Sequence, residues 1–79
     1  MKIYGYKIEE ANGGVFPYEL AEITLSATPT ELRDIARFLV GTAENMEKMG
    51  KKYSHEHLSD KIKAFENSPH FVVFPSESK

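Results

Sequence analysis

Apolar and polar positions alternate in two stretches of this 79-residue chain and recur at helical spacing in two others. Residues 2–8 (KIYGYKI) set Ile3, Gly5 and Lys7 on one face of a strand against Tyr4, Tyr6 and Ile8 on the other. Residues 19–27 (ELAEITLSA) alternate more cleanly, with Ala21, Ile23, Leu25 and Ala27 inward and Glu22, Thr24 and Ser26 outward. Between them, Asn12-Gly13-Gly14 is a strong turn signal because these residues take positive φ at least cost. A loose hairpin is the natural pairing, with Pro17 in the loop or at the strand entrance.

Thr28-Pro29-Thr30-Glu31 starts a helix on three agreeing signals: a hydroxyl N-cap, proline at the first helical position, and glutamate placed to close a capping box. Leu32, Ile35, Ala36, Leu39, Ala43 and Met46 then form an apolar stripe, opposite Arg33, Asp34, Arg37, Glu44, Glu47 and Lys48. Gly50 fits a C-cap, and Lys51-Lys52 suit the negative end of the helix dipole. Met46 and Met49, with Phe38 off the main stripe, either make an adaptable contact patch or finish the core. The core is favoured, because a helix pair of this length has few other groups to fill its gap.

Ser54 predicts a second helix running to Glu66 or Asn67, with Leu58, Ile62 and Phe65 buried, before Asn67-Ser68-Pro69 stops it. Residues 70–75 (HFVVFP) have the β-branched and aromatic density of a last strand, and the tail 76–79 is expected to fray. The expected fold is α+β in one domain over residues 1–79. Its order is β-β-α-α-β: a three-stranded, mainly antiparallel sheet with a two-helix hairpin on one face.

Two helices cover only one side of a sheet, yet the first and last strands are apolar in both phases. Tyrosines and phenylalanines left over either pack on each other at an ordinary surface or form a contact face for a partner or a second copy. Tyr4 and Tyr6 suit the second role, offering rigid area and a hydroxyl, with Glu9, Glu10, Glu19 and Glu22 as an acidic rim.

Composition narrows the function. A chain this short buries about 60% of its unfolded surface, so a deep enclosed active site is hard to build. The absence of cysteine excludes thiol chemistry and suits a reducing compartment. Ten basic against twelve acidic residues lack the basic excess that nucleic-acid binding needs. The N-terminus has no secretory h-region and no apolar run reaches about 18 residues, so a cytoplasmic protein without membrane contacts is expected.

His55-Glu56-His57 with Asp60 is the one group of metal-type side chains close in sequence. His57 and Asp60 can share a helical face, but His55 and His57 diverge at a helix start and no HExxH pair exists. His70 is the only further imidazole. The favoured reading has Glu56 complementing the helix end, Asp60 solvated or paired with Lys61 or Lys63, and the histidines at the surface or in packing. No metal or cofactor is expected. Nucleophile elbow, phosphate loop and dinucleotide fingerprint are all missing, which argues against an enzyme.

The segments MKIYGYKIEE, LAEITLSATPTELRDIARFLVGTAENMEKMGKKYSHEHLSD and FVVFP resemble a family of small bacterial immunity proteins of polymorphic toxin systems, immunity protein 32. The resemblance implies a cytoplasmic protein that neutralises a cognate toxin by binding it. Tyr4, Tyr6 and Glu22 on the sheet, with His55, Glu56, His57 and Asp60, are then the candidate contact residues. The alternatives are a self-associating domain, dimeric through the uncovered sheet face, and a small metal-dependent hydrolase resting on the histidines alone.

Overall fold

The computed structural model describes residues 1–10 and 16–76; the Asn12-Gly13-Gly14 turn and most of the tail lie outside them. The fold is α+β, in the order β1 (Ile3–Gly5), β2 (Tyr18–Leu20), α1 (Pro29–Met49), β3 (Glu56–His57), α2 (Leu58–Lys61) and β4 (Val72–Val73).

The predicted hairpin forms. β1 and β2 pair antiparallel, with Ile3 opposite Leu20, Tyr4 opposite Glu19 and Gly5 opposite Tyr18. Gly5 leaves space for the Leu20 side chain, whose Cδ1 would lie 2.9 Å from a Cβ there.

The predicted three-stranded sheet does not form. The last strand pairs with residues that follow α1, placing Glu56 opposite Val73 and His57 opposite Val72, and the described residues form two separate two-stranded sheets. Closing the shorter loop between β3 and β4 costs less chain entropy than reaching back to β2. Residues 21–27 consequently have no strand beside them, and Ile23 and Leu25 stay about half exposed rather than inward.

α1 matches its sequence signals closely. Thr28 Oγ1 accepts from the Glu31 backbone N–H at 3.1 Å and Glu31 Oε1 accepts from the Thr28 N–H at 2.8 Å, the reciprocal bonds of a capping box. Gly50 ends the helix at φ +56°, where its N–H donates to the Met46 carbonyl. The buried stripe differs from the predicted one: Ile35, Phe38 and Thr42 face inward, while Leu32 and Leu39 are largely outside. Phe38, the largest side chain on the helix, takes the centre, its ring edge-on to Phe71 with centroids 6.3 Å apart.

The second helix is reduced to one turn. Residues 54–57 are drawn toward β4, where the Leu58 N–H donates to the Phe71 carbonyl at 2.9 Å, and Ile62 adopts an extended conformation (φ −131°, ψ 109°) that breaks the helix. A 3₁₀ turn over Lys63–Phe65 restores the path, and Leu58 and Phe65 still reach the core as their spacing requires. That core joins Ile35 and Phe38 to Leu58 and Phe65, with Ile62, Phe71 and Val73 packed around it. No helix among the described residues is long and apolar enough to cross a membrane.

Candidate functional site

Strand alternation sorts the candidate cluster into two groups. Glu56 turns toward α1, whereas His55 and His57, two residues apart, share the other phase. The Glu56 Oε2 atom accepts from Asn45 Nδ2 at 3.0 Å and pairs with Lys61 Nζ at 3.3 Å. Its Oε1 atom is buried without a hydrogen-bond partner. Glu56 is thus tied to both α1 and α2, and Asp60, exposed on α2, does not hold Lys61.

Tyr53 completes this inner network. Its ring is buried and its hydroxyl donates to the Val73 carbonyl at 3.2 Å, holding β4 against the turn that follows α1. Burial, followed by the neighbouring Glu56 carboxylate, pushes the Tyr53 hydroxyl above the ordinary tyrosine range. For Glu56, burial favours the neutral acid. The hydrogen bonds from Asn45 and Lys61, with the charge of Lys61, outweigh it and hold the carboxyl below its usual value.

The outward phase carries a row of rings. His55 stacks flat on Phe74, centroids 4.9 Å apart and planes 8° from parallel. His57 lies edge-on to His55 at 5.1 Å and to His70 at 6.2 Å. Ser54 Oγ lies 2.8 Å from His55 Nδ1. β3–β4 pairing thus gathers three imidazoles and a 67% exposed phenylalanine, of which the sequence cluster contained only two. His70 and Phe74 escape a reading by local spacing, because only knowledge of which strand pairs with β3 brings them in. Among the described residues no group of three or more histidine, cysteine or carboxylate side chains is placed to hold a metal ion.

Tyr4 lies in the other sheet and Tyr6 just past the end of β1, each about half exposed. Tyr6 lines a shallow hollow of about 380 Å³ with Gly5, Lys7, Tyr18, Glu19 and Leu20, and Lys7 Nζ sits 5.3 Å from the Tyr18 ring centroid. Glu22 is exposed just beyond β2. A second groove, of about 410 Å³, runs between residues 24–27, the start of α1 and residues 68–71, with Leu58 and Phe65 in its floor.

Exposed rings backed by a hydrogen-bonded inner face suit recognition of another protein: large area, little side-chain entropy to lose, and donors at the rim. A family model described as immunity protein 32 matches residues 22–74. No curated protein and no solved structure matches the chain.

Proposed function

The chain belongs to the immunity protein 32 family, and from that membership we propose that it neutralises a cognate toxin domain in the cytoplasm by direct binding, with no chemistry of its own. The observation that supports this reading in the fold is the ring row His55, His57, His70 and Phe74, solvent-facing on a strand pair whose inner face is fixed by Glu56 and Tyr53. Such a surface is pre-organised, so little ordering cost is added on binding. Tyr4, Tyr6 and Glu22 on the first hairpin offer a second contact to a large partner.

The test is co-expression of the tagged chain with the products of the genes flanking its own, capture through a high-salt wash, and mass spectrometry of what remains. One toxin-like protein, whose toxicity the chain suppresses, is expected. A neighbouring toxin domain that neither binds nor loses toxicity removes the proposal.

A further inference from the structure

His55 immediately precedes β3 and His57 lies in it, so strand alternation puts both rings on one face, with centroids 5.1 Å apart. Two imidazoles bound to one tetrahedral ion through nitrogens about 2.1 Å from it have centroids about 5 Å apart. We propose that His55 and His57 together hold one divalent transition-metal ion of the zinc, nickel or copper class, its remaining positions left to water.

The surroundings of His55 match those of a metal ligand. Its ring is fixed flat against Phe74, centroids 4.9 Å apart, so little freedom is left to lose on binding. Ser54 Oγ lies 2.8 Å from Nδ1. With Nε2 on the metal, Nδ1 carries the proton and donates to that hydroxyl, the orienting contact that metal-bound histidines ordinarily keep. His57 makes no hydrogen bond or ion pair through its ring among the described residues, which leaves its nitrogens to the ion. His55 is exposed and His57 half-buried, so an ion reaches both from solvent. His70 stands edge-on to His57 at 6.2 Å, beyond the spacing of a shared ion. The described residues therefore offer a pair rather than a group of three.

The donor set selects the ion. Neutral imidazole nitrogen suits zinc, nickel and copper, whereas calcium and magnesium take oxygen. Carboxylate oxygen is kept away from the pair: Glu56 points to the opposite face, its Oε2 atom held by Asn45 and Lys61, and no salt bridge joins a carboxylate to an imidazole among the described residues. With two protein ligands instead of the four of a structural zinc site, the clamp is open and exchangeable.

The clamp needs no toxin, and the untagged, metal-free full chain is enough to test it. Calorimetric titration with zinc chloride should show one ion taken up per chain, with a melting temperature that rises with zinc concentration; calcium chloride should show no uptake. His55→Gln and His57→Gln should each abolish zinc uptake with an unchanged far-ultraviolet circular dichroism spectrum, His70→Gln should leave it in place, and Ser54→Ala should weaken it about tenfold or more. Electron paramagnetic resonance of the wild-type chain loaded with one Cu²⁺ should count two nitrogen ligands, a reading that depends on no variant's folding. Absence of zinc uptake at the highest concentration that keeps the chain in solution overturns the proposal. So does uptake shared equally with calcium, uptake that His55→Gln and His57→Gln both leave unchanged or that His70→Gln abolishes, or a copper spectrum without two nitrogens.

Discussion

The side-chain amide of Asn45 on α1 donates to the carboxylate of Glu56 on β3 at 3.0 Å, fastening the long helix to the second strand pair. Lys61 on α2 pairs with the same oxygen at 3.3 Å, so three elements meet at one charge.

That charge makes stability depend on pH. The folded-state pKa of Glu56 lies below its ordinary 4.5, so its stabilisation is complete above that value and is lost as pH falls through the folded value. Wild type should melt higher than Glu56→Gln at neutral pH, and the gap should close on acidification. A gap that does not change with pH would show that the carboxylate charge is irrelevant to the fold.

Tyr53 works at the other limb. Its hydroxyl pKa is raised above 10.0, so the neutral form stabilises the fold fully below that value and the stabilisation fades as pH climbs through the folded value. Tyr53→Phe should remove this alkaline loss while lowering the melting temperature at neutral pH through the missing bond to Val73. Melting curves of both proteins on either side of pH 10.0 decide it.

Thr28→Ala removes one half of the capping box. The cost should be about 1 kcal/mol, read as a lower urea midpoint with an unchanged slope.

Leu58, 3% exposed, sits between α1 and the residues around Phe71. Leu58→Ala should cost about 2–5 kcal/mol, a large share of what so small a domain possesses. Near-ultraviolet circular dichroism, which reports packing around Tyr53 and the phenylalanines, should lose its signal at lower denaturant.

Phe74→Ala separates binding from folding. The ring is 67% exposed and stacked only at the surface, so stability should change by no more than about 0.5 kcal/mol. Affinity for the toxin should drop about tenfold or more if the ring anchors the contact. Calorimetric titration alongside a melting curve reads both, and unchanged affinity would move the contact elsewhere.

How far the sequence speaks depends on the range of the interaction that decides each element. The capping box, Pro29 and Gly50 act within one turn, and α1 begins and ends where they say. The β1–β2 hairpin is nearly as local. Leu58 and Phe65 were legible as core from their spacing, although the helix expected to carry them is broken at Ile62. β3 was not legible, because Glu56 and His57 become a strand only when Val72 and Val73 arrive beside them. The same pairing splits the candidate cluster, turning Glu56 inward and joining His57 to His70. In α1, periodicity shows that the helix has an apolar face, whereas contact with Phe71 puts Phe38, off the periodic stripe, at the centre.

The division of labour across β3–β4 also bears on how the proposed toxin binder would keep pace with an adversary. Glu56, Tyr53 and Val73 are committed to each other, and exchanging any of them disturbs the module. His55 and Phe74 point to solvent and answer only to what they touch there. Were these outward positions the toxin contact proposed above, they could be replaced one at a time as the toxin's surface drifted, with the scaffold beneath them indifferent to the change.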